Sequence, residues 1–247
     1  MAQSNQPKEQ ENNQRLLSAS LWILSALYIY ILFLSPPGQL VPGEPVWAIQ
    51  PHTIKEVLDE SINLFFILPI LNAVGIKYME SPVEHPASEA LFNFAEAWIF
   101  MFLPLLLADS RGREFSKILI WGFAMFFTNS FLAPYMAVLT TATPEETENQ
   151  TSKGLLARIF GWTGLIVGTG ALIWGILGRP EFGDLTQRAQ YFIQSLHTNR
   201  LTVAFCVDIL LFSLFQAMLI GKIEPQGSGK RWLRFIPFWG LAIWLIV

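Results

Sequence analysis

Five stretches of this chain are apolar over roughly the 17 to 25 residues that a helix needs to cross a bilayer: residues 16–34, 91–107, 118–139, 159–177 and 201–220. Two further stretches are marginal. Residues 62–76 are interrupted by Pro69 and Asn72, and residues 232–247 are short and carry Arg234 and Pro237. Backbone N–H and C=O groups in hydrocarbon must be satisfied within the segment, so runs of this kind form helices. The expectation is an all-α, polytopic transmembrane helix bundle of about seven helices, with five to seven spans.

Composition points the same way. Of 247 residues, 52% are apolar and only 14% charged, about half the charged share of a soluble domain. The solvent expected for this chain is therefore lipid. A net charge of −3 without clustered Lys and Arg argues against nucleic acid as a partner. The single cysteine, Cys206, excludes an intrachain disulfide and Cys-based zinc or iron–sulfur sites. Three histidines, His52, His85 and His197, fall near predicted interfaces, which leaves no His-rich metal site and no mid-membrane ligand for heme or chlorophyll. No metal and no obligate cofactor are expected. The 14% aromatic content is compatible with a bound carotenoid or chlorophyll, although lipid contact and interface anchoring explain it as well. Neither a P-loop nor a GxSxG or HExxH motif is present.

Residues 1–15 are polar and rich in Gln, Asn and Glu, which predicts a disordered tail preceding one transmembrane domain over 16–247. They resemble neither a signal peptide nor a transit peptide. Two segments, 36–60 and 184–197, are expected at the interface. The first is Pro/Gly-rich at its start, and its Thr53 and Glu56 have capping-box spacing, so a long span, straight or kinked, is expected from Thr53 through 76. In the second, Leu185, Ala189, Phe192 and Leu196 form an apolar stripe. The acidic segment 144–153 reads as a solvated loop. On seven spans, nine Lys/Arg fall on the N-terminal side and seven on the other, which favours a cytoplasmic N-terminus by a narrow margin.

The residues of chemical interest are the polar ones inside apolar runs. An acid at a helix centre costs roughly 2.5 to 3.5 kcal/mol on insertion scales and so faces a bundle interior and a partner. Glu96 and Asp208 are the two such acids, and they are the candidate catalytic residues. His85, Glu89, Asn93 and Glu96 share one stripe of a helix, which reads either as the polar wall of a cavity or as ordinary interhelical hydrogen bonding. Asp208 lies ~12 Å of helix rise from Arg200. Its partner must come from another helix, with Asn129 the best neutral candidate and Gln216 on the same face. Gly161, Gly164, Gly168, Ala171 and Gly175 form a small-residue face suited to close helix packing.

Three stretches, EHPASEALFNFAEAWIFMFLPLLLADSRGRE, WGFAMFFTNSFLAPYMAV and TNRLTVAFCVDILLFSLFQAML, resemble an uncharacterised polytopic membrane protein family of cyanobacteria and chloroplasts, across roughly residues 80–220. The resemblance implies a multi-pass protein of the thylakoid or plasma membrane of a cyanobacterium. A fainter similarity, in size, span number and two intramembrane acids, is to seven-span terpene cyclases, although the acids here fall on different helices. Three functions are thereby expected in order. The first is a non-catalytic role in assembling or maintaining a membrane complex or its pigments. The second is a metal-independent cyclase or isomerase acting on an isoprenoid or carotenoid with Glu96 or Asp208 as general acid. The third is a proton-coupled carrier of a small molecule.

Overall fold

The computed structural model describes residues 6–112, 114–143 and 154–247. They form ten α-helices and no strand among the described residues. In chain order these are α1 (Gln6–Ile29), α2 (Pro51–Ile62), α3 (Ile67–Ala73), α4 (Pro86–Ala108), α5 (Lys117–Phe127), α6 (Asn129–Thr141), α7 (Leu155–Leu177), α8 (Leu185–Thr198), α9 (Arg200–Ile223) and α10 (Trp239–Ile246). Local chemistry sets several of the starts. His85 caps α4 by accepting from the Ala87 amide, with Pro86 in the first helical position, where its missing N–H costs nothing. Asn199 caps α9 by accepting from Leu201 and Thr202, and Asp184 with Gln187 forms a full capping box on α8.

Four helices are long and apolar enough to cross a membrane: residues 8–34, in which α1 runs on through a π-helical turn (Tyr30–Leu34), then α4, α7 and α9. In its most apolar window α4 is 83% buried, against 22 to 39% for the other three. That makes α4 the axis and leaves lipid-facing apolar surface on the rest. The glycine face of α7 lies along α4 in antiparallel fashion, with Gly164 facing Met101 and Gly175 facing Ala90. α9 runs parallel to α4, with Phe92 against Phe205 and Trp98 against Phe212. α1 is antiparallel to α9, since Tyr28 meets Asp208 and the Ser35 carbonyl accepts from Arg200. The N-terminal end of α1, the end of α4, the start of α7 and the end of α9 therefore share one end of the bundle.

The expected span at 118–139 is instead a hairpin. α5 begins where the Lys117 ammonium donates to the Asp109 carbonyl, and α6 ends where Arg111 donates to the Leu139 carbonyl at 3.1 Å. Phe123 and Phe131 stack across the two arms with centroids 4.9 Å apart. Both arms thus open to the same end, and the tip at Thr128 (φ 45°) reaches inward to α9. Arms of 11 and 13 residues rise only ~16 to 20 Å, about half to two-thirds of a ~30 Å hydrocarbon core.

The two marginal stretches are broken as well. Instead of one helix from Thr53 to 76, α2 starts at Pro51 without a side-chain cap, and Thr53 donates to Glu44 while Glu56 accepts from Asn199. The chain then kinks through Phe65 and Phe66, both at φ 55°, before α3. Toward the carboxyl end, a short 3-10 turn (Arg231–Phe235) leads inward to Phe238 (φ 60°), and α10 returns along α7, where Gly161 meets Ala242, Leu245 and Ile246.

Residues 6–15, expected as a disordered tail, are part of α1, and residues 1–5 lie outside the described set. The loop expected at 144–153 lies outside it too. A helix stands where one was expected at 184–197, as α8. Its inward residues, Arg188 and Ser195, are polar, while Leu185 and Ile193 face outward. Of the apolar stripe read from sequence, Leu185 and Ala189 are exposed and Phe192 and Leu196 half-buried.

Candidate functional site

Asp208 is buried in α9 and accepts two hydrogen bonds through Oδ1, from the Tyr28 hydroxyl at 2.7 Å and from Asn129 Nδ2 at 2.7 Å. Tyr28 in turn lies 2.8 Å from Thr128 Oγ1. The hairpin tip, α1 and α9 therefore close on one carboxylate. Asn129, expected as the neutral partner, takes that part, at the first residue of α6. The N-terminal end of a helix carries partial positive charge, so the broken geometry also places a favourable dipole beside the acid. Asn129 Oδ1 and Ser130 Oγ are buried at the same tip without a hydrogen-bond partner among the described residues.

Glu96 is buried in α4 but makes no hydrogen bond or ion pair among the described residues. Burial and, after it, the nearby Asp208 carboxylate set its electrostatic surroundings. The two acids are neighbours without being bonded to each other.

Glu89, one helical turn from the start of α4, binds in a different way. Its carboxylate receives Arg179 Nη2 at 2.9 Å and Nε at 3.2 Å, Trp174 Nε1 at 2.7 Å and Asn63 Nδ2 at 3.0 Å. Such a paired and fully hydrogen-bonded ion pair is the form in which a buried charge is tolerated. Arg179 itself has φ 47°, and its carbonyl accepts from Arg188. Asn93 accepts from the Phe65 amide at 2.5 Å and donates to the Glu89 carbonyl. His85 stacks on Tyr191 with centroids 3.5 Å apart; burial, then the charge of Arg188, holds its imidazole below the usual range. The predicted stripe is real as a stripe. Three of its four members hold neighbouring segments in place.

Gln216 completes the set from α9. It accepts from Trp98 Nε1 at 3.1 Å and from the Phe238 amide at 3.2 Å, and donates to the Ile236 carbonyl at 2.8 Å. A rule joins these contacts. The non-glycine residues with positive φ are Phe65, Phe66, Thr128, Arg179 and Phe238, and each of these breaks is held by a buried polar side chain from a long helix: Asn93, Tyr28 with Asp208, Glu89 and Gln216. Non-helical backbone inside an apolar bundle must find partners there.

The small-residue face of α7 turns inward. A Cβ added at Gly164 would meet Met101 of α4, and one at Gly168 would meet the ring of Phe238. Its partners are internal helices. Tyr28, Trp98, Trp174 and Arg179 were not singled out by sequence: the aromatics read as interface or lipid residues, and Arg179 carried no reading of its own. Their common signal is a hydrogen-bond donor within one turn of an apolar run.

Taken together, the fold and this polar set define a helical integral membrane protein in which long apolar helices hold broken segments by buried polar anchors. No family model, curated protein or solved structure matches the chain.

Proposed function

We propose that this chain is a polytopic, non-catalytic protein of a photosynthetic membrane that acts in the assembly or maintenance of a membrane complex or its pigments. The observation that carries the non-catalytic part is the use made of the polar residues. Asp208, Asn129, Glu89, Asn93 and Gln216 are spent on holding helix breaks, which leaves Glu96 as the one candidate acid without a bond. The photosynthetic setting rests on the resemblance of residues 80–220 to a cyanobacterial and chloroplast family.

The four long helices also support an orientation. With four crossings and the hairpin returning to its own side, among the described residues Lys8, Arg15, Arg111, Lys117, Arg158, Lys222, Lys230, Arg231 and Arg234 fall on the N-terminal side and Lys55, Lys77, Arg179, Arg188 and Arg200 on the other. Nine against five of these favours a cytoplasmic N-terminal side.

A second reading, a proton-coupled carrier, is favoured by one place. An unbonded Glu96 lies near Asp208 at the tip of a discontinuous helix, the arrangement that marks binding sites in several transporter folds. A strain lacking the gene, complemented with the double variant E96Q/D208N, separates the two. Full recovery of pigments and intact membrane complexes is expected for the assembly role. Loss of function with normal accumulation of the variant would favour the carrier or an enzyme.

A further inference from the structure

A cleft of about 270 Å³ opens where α1 ends and α9 begins, lined by the apolar Leu32, Phe33, Val46, Ile49, Leu201 and Ala204 together with polar groups. Its volume lies just below the ~300 Å³ at which small-molecule sites usually begin, which suits a headgroup better than a whole amphiphile. Arg200 lines it and is buried, with Nε and Nη2 donating to the carbonyls of Pro42, Ser35 and Gly43. Its Nη1 has no hydrogen-bond partner among the described residues. A buried guanidinium nitrogen left unpaired is costly, and a phosphate oxygen would satisfy it.

Two carboxylates line the same cleft. Glu44 accepts from Thr53 at 2.6 Å and lies 3.4 Å from His52, and Glu56 accepts from Asn199 at 2.7 Å through one oxygen only. A purely anionic group would meet both. The cleft lies at the ends of two long apolar helices, and the exposed Trp47, Val46 and Ile49 stand beside it, as expected of residues at a membrane interface. We propose that this cleft binds the headgroup of a zwitterionic phospholipid, with its phosphate on Arg200, its ammonium toward Glu44 and Glu56, and its acyl chains leaving over Val46 and Ile49.

Full-length protein is exchanged into detergent with dioleoyl-phosphatidylethanolamine or dioleoyl-phosphatidylglycerol, and bound lipid is read by native mass spectrometry. Preference for the ethanolamine lipid by about tenfold or more is expected, and A204F, which fills the apolar wall, should lose it. The double variant E44Q/E56Q keeps the local hydrogen bonds and should bring the two lipids to parity, which tests the proposal even if A204F misfolds. Equal retention of both lipids by the unaltered protein would overturn it. So would saturation of the site by inorganic phosphate or phosphoethanolamine at the lipid's concentration, which would assign the cleft to a free phosphate compound. The inference rests on the chain lying in a bilayer, and resistance of the membrane-bound protein to carbonate extraction tests that premise separately.

Discussion

Asp208 accepts from Tyr28 and Asn129 through a single oxygen, and an amide at position 208 can accept the same two bonds. D208N is therefore expected to leave thermal stability in detergent nearly unchanged. D208L takes the side-chain acceptor from the Asn129 amide, at roughly 1 to 3 kcal/mol, leaves the Tyr28 hydroxyl with Thr128 alone, and should lower the melting temperature. Equal damage from both variants would show that the negative charge, and not the hydrogen-bond geometry, holds the tip. Toward the end of the bundle where α4 and α9 begin, Glu60 is buried near Glu56, Glu84 and Glu89, and burial first, then those charges, raises its carboxyl well above 4.5. The folded state then binds the proton more tightly than the unfolded chain. Stability is greatest below the unfolded value and falls as pH rises through the folded one. E60Q should raise the melting temperature at pH 8 and change it little at pH 4, as measured by a thermal shift in detergent across that range.

At the scale of elements, the broken segments decide the topology. The α5–α6 pair opens both arms to the end of the bundle that holds Asp109 and Arg111. In a C206S background, S116C and T141C should both react with an impermeant maleimide added from the same side of sealed vesicles. Labelling from opposite sides would restore a single crossing there. Residues 118–139 were legible as apolar and helical but not as a hairpin, because a run of this length gives the same hydropathy whether it crosses once or enters and returns. No glycine or proline marks the tip. Thr128 and Asn129 hold it only because Tyr28 and Asp208, distant in sequence, meet them. The capping box at Asp184 and Gln187 is a local pattern that went unread in the sequence. The one expected at Thr53 and Glu56 failed because Glu44 and Asn199 compete for the same side chains.

For the whole molecule, the proposed four crossings would place α1's N-terminal end and the segment after α9 on one side. S228C, in the same cysteine-free background, should label from the side that S116C labels and opposite to a cysteine in place of Thr198. S228C and T198C reacting from one side would contradict the single crossing by α9 that separates them. The same topology concentrates the cations at one end, so inverting that asymmetry by charge reversal in 222–234 is the change most able to disturb insertion.

Apolar run lengths and the scarcity of charge settled, from sequence alone, that the chain is helical, that lipid is its expected solvent, and that residues 91–107, 159–177 and 201–220 form its long helices. These properties are local sums over neighbouring residues. Only the tertiary structure decided which apolar stretches run on as one long helix and which turn back, and that Asp208, Asn93 and Gln216 serve as anchors for those turns. Each anchor joins groups far apart in sequence, Tyr28 to Asp208 among them, and such a pairing leaves no trace in the pattern of either segment.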